Sequence, residues 1–143
     1  MLSVPVNFLN KEFLYVNSLP AGVGSNDIGL DRNQLGNTRI VYFTRNGAKL
    51  LMVQPNYDYR AVSSDAAEKA SVRDAFASSA IAGFKVEAEE DGKLLIDLTP
   101  FLMRDAHSVA AKLKRANQGT YKEDISRSML YPERIKNFPK NTE

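Results

Sequence analysis

The sequence predicts an α+β domain: an antiparallel sheet built from two hairpins and N-terminal strands, with two main helices packed on one face. Three observations carry that prediction. Asn46-Gly47 separates two alternating apolar runs, Asp91-Gly92 separates two more, and the stretches 65–82 and 100–116 place apolar residues at helical spacing. Helices interspersed with hairpins have one apolar sheet face to cover, which is the α+β arrangement. The length, 143 residues, fits a single domain over 1–143 with a real core and no need of a metal or disulfide staple.

Leu2, Val4 and Val6 alternate with small or polar residues, and Pro5 within that run suits an edge strand. Residues 11–18, KEFLYVNS, put Leu14 and Val16 on one face and Phe13 and Tyr15 on the other, which predicts a second strand covered on both sides. Pro20 and Gly22 end it. A two-residue turn at Asn46-Gly47 sets Phe43 opposite Leu50 and Val41 opposite Met52, with Tyr42 meeting Leu51 and Ile40 meeting Val53 on the reverse face. Asp65 followed by Glu68 has capping-box spacing and starts a helix expected to run to about Ala82, with Val72, Phe76 and Ala80 on its narrow apolar face and Gly83 as C-cap.

Register decides the second hairpin. A two-residue turn at Asp91-Gly92 places Glu87 and Glu89 with Leu94, Ile96 and Leu98, so a three-residue loop, Glu90-Asp91-Gly92, is predicted instead. That loop gathers Phe84, Val86, Ala88, Leu94, Ile96 and Leu98 on one dry face and sets Lys85 opposite Asp97 and Glu89 opposite Lys93. Thr99 as N-cap and Pro100 as first helical residue open a second helix to Ala116, where Lys112, Lys114 and Arg115 suit the negative end of the helix dipole. Residues 119–143, with Ile125, Met129, Leu130 and Phe138 among prolines and charges, read as an extended arm clamped onto the domain.

Composition excludes several functions. The chain has no cysteine, which removes disulfides, thiolate zinc sites and a cysteine nucleophile, and a single histidine, which removes a multi-imidazole metal site. The net charge of +2 comes from balanced acids and bases and supplies no field for nucleic acid. No run of about 18 apolar residues predicts a membrane span, and residues 1–30 lack a signal-peptide core. Tyr57, Tyr59 and Tyr121 near Arg60 and Lys122 lack the interleaving of a nucleic-acid stacking module.

One stretch has a residue choice that core building does not explain: Ala21–Asn37, AGVGSNDIGLDRNQLGN. Its glycines and short polar residues predict an ordered, hydrogen-bonded loop. Gly22, Gly24, Ser25, Asn26, Asp27, Asp31 and Arg32 are its candidate structural or interaction residues. A phosphate cradle is disfavoured, because Asp27 stands where the dinucleotide fingerprint has a third glycine and would repel an anion. Asp27, Asp31, Asp58 and Asp65 have no EF-hand spacing. Asp31 and Arg32 are expected to lock the loop through an ion and hydrogen-bond network. His107, beside Asp105 and Ser108 and without a GxSxG elbow in the chain, is assigned a surface or cap role rather than catalysis.

The segments GVGSNDIGLDRNQLG, RIVYFTRNGAKLLMVQPNYDYRA, DAFASSAIAGFKV, LLIDLTPFLMRDAH, GTYKEDISRSMLY and NFPKNTE, in that order, resemble a domain of unknown function found in bacterial zinc-dependent metalloproteases of the matrixin-like, metzincin type. The likeness extends from about Phe13 to Glu143. It implies a non-catalytic domain N-terminal to a separate catalytic domain, whose HExxH helix binds zinc through two histidines and uses the glutamate as base. This chain has no HExxH, so no catalytic, cofactor or metal residue carries over, and the zinc is expected in the catalytic domain. The resemblance further implies an exported or cell-envelope parent protein, with that catalytic domain of the same polypeptide as partner. The end at Thr142-Glu143 fits a cut at a domain boundary. Two other readings stand beside this one: a ligand-binding or hydrolase module using Asp27, Asp31 and Arg32, and a propeptide-like inhibitor without a cysteine switch.

Overall fold

Six runs of alternating apolar residues form strands, and a computed structural model places them in one sheet. They are β1 (Leu2–Pro5), β2 (Glu12–Tyr15), β3 (Arg39–Asn46), β4 (Lys49–Gln54), β5 (Ser79–Glu90) and β6 (Lys93–Ile96), in the order β1-β6-β5-β4-β3-β2. Pairing is antiparallel at β1–β6, β6–β5, β5–β4 and β4–β3. Among the described residues three short α-helices, α1 (Ala66–Ala75), α2 (Thr99–Leu102) and α3 (Val109–Arg115), accompany the strands in a mixed α+β arrangement that is mostly sheet. Residues 1–24, 26–59 and 62–138 are described, Asn26 by its backbone alone, so Ser25 and Arg60 lie outside the described residues. The chain divides into two units, Met1–Phe13 with Ile40–Asp97 and Leu14–Arg39 with Leu98–Glu143.

In the first unit, the core is the face of the sheet carrying Val4, Val41, Phe43, Leu50, Met52, Phe84, Leu94 and Ile96, all buried. Phe13 packs at a tilt 5.6 Å from Phe8 and 5.3 Å from Phe43, which in turn meets Phe84 edge-on at 6.3 Å. Aromatic contacts at these spacings add to the area they bury. β1 is an edge strand, as Pro5 requires. β2 is also an edge, shorter than the predicted strand, and leaves Leu14 47% and Val16 45% exposed, so the two-sided cover expected of it is absent.

Both hairpins correct the predicted registers. In the first, Asn46 pairs with Lys49 and Phe43 with Met52, so the turn is Gly47-Ala48, one residue later than expected. Gly47 alone takes the positive φ, 58°, which is the type II′ pattern and needs glycine only at the first turn position. The slip moves each partner by two, an even number, so Val41, Phe43, Leu50 and Met52 stay on one face as predicted. The reverse face is wetter than expected, with Ile40 43% exposed. In the second, Asp91 and Gly92 form a two-residue turn with φ of 48° and 69°, and Glu90 pairs with Lys93 and Glu89 with Leu94. A bulge between Val86 and Ala88 absorbs one residue and brings Val86 opposite Ile96, the pairing that the three-residue loop was invoked to produce. The displaced residue is Glu87 rather than a loop residue, and Ala88 leaves the dry face to pair with Leu95. Glu89, on the apolar side, reaches Arg45 at 2.9 Å, and Lys85 bonds Glu87 at 2.8 Å.

The first helix starts where predicted, with the Asp65 carboxylate accepting from the Ala67 N–H at 2.8 Å. It ends at Ala75, seven residues early, because Ser79, Ala80 and Ala82 pair with Gln54, Val53 and Met52 and continue the sheet. Alanine's helix preference is a fraction of a kcal/mol and yields to ladder pairing of this kind. Gly83 is accordingly a strand residue opposite Leu51, not a C-cap. No α1 residue is buried, and Phe76 instead stacks on Tyr59 at 3.8 Å in the open.

In the second unit, the predicted second helix is broken into α2 and α3. Arg104, between them, lies 3.5 Å over the Phe101 ring and donates to the Phe101 carbonyl and to the Tyr15 hydroxyl. The Asp105 carboxylate accepts from the Val109 N–H at 2.8 Å and the Ala110 N–H at 3.0 Å, which starts α3 afresh. Asp105→Ala is expected to lower stability by about 1 kcal/mol through those two orphaned donors, read as a shifted urea midpoint at unchanged slope. Over its described part, to Phe138, the C-terminal arm is largely exposed, with Ile125 at 60%, Met129 at 86% and Phe138 at 71%, and of its predicted anchors Leu130 is half-buried.

Candidate functional site

The Gly-rich stretch belongs to the second unit and is closed by main-chain hydrogen bonds. At its base the Gly36 N–H donates to the Asn17 carbonyl at 2.9 Å, the Leu19 N–H to the Gln34 carbonyl at 2.9 Å, and the Asn33 N–H to the Leu19 carbonyl at 2.8 Å. Ser18 and Leu35 form an isolated antiparallel bridge there. A turn over Asp31–Gln34 is closed by the Gln34 N–H on the Asp31 carbonyl at 3.0 Å, with Asn33 in the left-handed region that asparagine tolerates. Farther out, the Val23 N–H meets the Leu30 carbonyl at 3.2 Å, and Asn26–Ile28 form a single 3₁₀ turn. Leu30 is fully buried and anchors the loop.

Gly22 packs against neighbouring main chain with no room for a side chain. A Cβ there would stand 2.7 Å from the Leu30 carbonyl oxygen and 2.8 Å from the Arg32 nitrogen, inside van der Waals contact with atoms that cannot rotate away. The outer end of the loop is tied by Lys112 of α3, whose ammonium donates to the Gly29 carbonyl at 2.8 Å.

Of the residues singled out from sequence, Asp31 and Arg32 do not pair. Among the described residues no ion pair or side-chain hydrogen bond joins them; Arg32 is exposed and Asp31 half-buried. The lock is made by backbone, by Leu30 and by Lys112. Lys112→Met, which keeps the aliphatic stem, is therefore expected to cost about 1 kcal/mol, whereas Asp31→Ala stays within about 0.5 kcal/mol of the parent. Parallel denaturant titrations of the two variants test the assignment, and the reverse order would restore the carboxylate as the lock.

Asp27 has a different setting. It lines an open hollow of about 310 Å³ with Val23, Ile28, Leu113, Ala116 and Gln118. Leu113 lies in the last turn of α3 and Ala116 is its C-cap; their apolar type at helical spacing is the signal the sequence offers for this wall. Among the described residues His107 has its Nε2 buried without a hydrogen-bond partner, as has the Asn17 Oδ1, and the cap at this helix start is made by Asp105 rather than by the histidine. Neither Asp58 nor His107 lines the Asp27 hollow. Among the described residues no three or more His, Cys, Asp or Glu side chains gather in a way that could hold a metal ion, and no helix is long and apolar enough to cross a membrane.

No curated protein and no solved structure matches this chain. A family model described as a domain of unknown function, DUF5117, matches residues 33–143. The matched span begins at Asn33, so Gly22 through Arg32 precede it, and the likeness read from about Phe13 is shared by that family only from Asn33 onward. Because the match takes in more than three quarters of its residues, the hairpins, all three helices and the arm included, the chain belongs to the DUF5117 family.

Proposed function

We propose that this chain is a non-catalytic accessory domain of a bacterial zinc-dependent metalloprotease, packing against the peptidase domain of the same polypeptide or regulating it. The observation that carries the reading is the C-terminal arm, where Ile125, Met129, Tyr131 and Phe138 are each more than half exposed. Large apolar side chains held out in sequence are characteristic of surfaces that another protein covers. The single histidine supports a non-catalytic role, since an HExxH zinc helix needs two. In this reading the zinc belongs to the peptidase domain and the parent protein is exported.

The separated peptidase domain, mixed with this chain, tests the proposal. Raised thermal stability or altered turnover of the peptidase is the expected result. That effect should fall when Ile125, Met129 and Phe138 are replaced together by serine. No change in peptidase stability or turnover would overturn the reading, and stoichiometric inhibition in trans would replace it with a propeptide-like one.

A further inference from the structure

We propose that the tip of the first hairpin is a self-modification site, at which Asn46 loses its side-chain amide to the main chain of Gly47 and becomes aspartate or isoaspartate. Asn46-Gly47 is the one Asn-Gly pair in the chain. An asparagine can cyclise on the nitrogen of the residue that follows it, and glycine at that position puts no side chain in the way. Three features of the turn leave the reaction open. Asn46 and Gly47 are both exposed, and among the described residues the Asn46 carboxamide has no hydrogen-bond partner, while neighbouring Arg45 is engaged with the Gly47 carbonyl at 3.1 Å and with Glu89 at 2.9 Å. The Gly47 N–H lies outside the ladder, which closes with Asn46 on Lys49, and donates to no main-chain group among the described residues. Open space surrounds the turn, with nothing within 4 Å of where a Gly47 Cβ would stand.

Hydroxide removes the proton of the Gly47 N–H, the nitrogen forms a bond to Asn46 Cγ, and the Cγ–Nδ2 bond breaks with ammonia leaving. Water then opens the five-membered imide. Cleavage at Cγ gives aspartate, and cleavage at the Asn46 main-chain carbonyl gives isoaspartate, which lengthens the backbone by one methylene. Either product adds a carboxylate and lowers the formal charge by one from +2. Ring closure requires Asn46 to leave extended geometry, so the reaction passes through fraying of the terminal Asn46–Lys49 pair. Opening that pair leaves buried Phe43 and Met52 in place. Being formed within the first unit, the site does not depend on the accessory reading.

Incubation of the full chain at mildly alkaline pH, followed by ion exchange and by mass analysis of the tryptic peptide Asn46–Lys49, tests the inference. The expected result is conversion at Asn46 about tenfold slower than in the capped peptide Ac-Arg-Asn-Gly-Ala-NH₂, the delay that opening one terminal pair imposes, and faster than at any other asparagine. Both aspartate and isoaspartate should accumulate, with release of ammonia. Asn46→Gln, which cannot close a five-membered ring, should keep its charge over the same period. Conversion more than about a thousandfold slower than in the peptide would mean that the turn reacts only after global unfolding, and would overturn the inference. Uniform conversion across the asparagines would remove the site, and aspartate without isoaspartate would remove the imide route.

Discussion

Phe43→Ala lowers the unfolding free energy by about 3–5 kcal/mol, the largest loss expected of a single substitution in this chain. Phe43 is 4% exposed and sits between Phe13 at 5.3 Å and Phe84 at 6.3 Å, while its backbone pairs with Met52 on the central strand β4. Truncation removes the ring that joins the β2 side of this aromatic row to the β5 side, and the sheet backbone cannot collapse into the space. Its Phe43 carbonyl also accepts from the Asn10 N–H at 2.7 Å, a bond that survives the substitution, so the loss reports packing. Equilibrium denaturation with urea gives the number. A loss below about 1 kcal/mol would mean that the site relaxes freely and that the row is not the centre of the core.

Gly22→Ala is the second. The methyl group meets the Leu30 carbonyl oxygen and the Arg32 nitrogen at under 3 Å, and both belong to a backbone pinned by the Val23–Leu30 hydrogen bond and by buried Leu30. Relief requires the loop strands to part, for an expected loss of about 1–3 kcal/mol. Gly24→Ala is the control, because Gly24 has φ +81° and nothing within 4 Å of a Cβ, so the substitution tests backbone conformation alone, worth about 1 kcal/mol. Thermal unfolding of the pair separates close approach from left-handed preference. Equal melting temperatures would remove the close approach as the reason for glycine at position 22.

The faces of the first hairpin were legible in the sequence because a pairing slip of two residues leaves a period-two pattern on the same faces. Val41, Phe43, Leu50 and Met52 were placed together from pattern alone and are buried together, although the turn was set one residue early. The Asp65 cap was legible for a similar reason, since a side-chain acceptor two residues before its N–H donor is a local arrangement. Pro5 marked an edge because it lacks the ladder donor.

The site was less legible. Residue type identified the Gly-rich loop as ordered, but it pointed to Asp31 and Arg32 as the lock, when a lysine 83 positions away holds Gly29. A contact at that sequence distance has no local pattern to announce it. Asp27 lines a hollow with Leu113 and Ala116, residues more than 80 positions away that no local pattern connects to it.

The sequence by itself determined the α+β class, the hairpins, their apolar faces and the chain's lack of an HExxH zinc site. Only the tertiary structure decided where the extra residue of the second hairpin goes, because a turn loop and a bulge at Glu87 both satisfy the same alternation and the neighbouring strands choose between them. It likewise ended α1 at Ala75, where alanine-rich residues that are acceptable in a helix gain ladder partners on β4, and it divided the second helix at Asp105, whose carboxylate takes the donors of a new one. In each case local preference amounts to tenths of a kcal/mol per residue, and pairing with distant chain outweighs it.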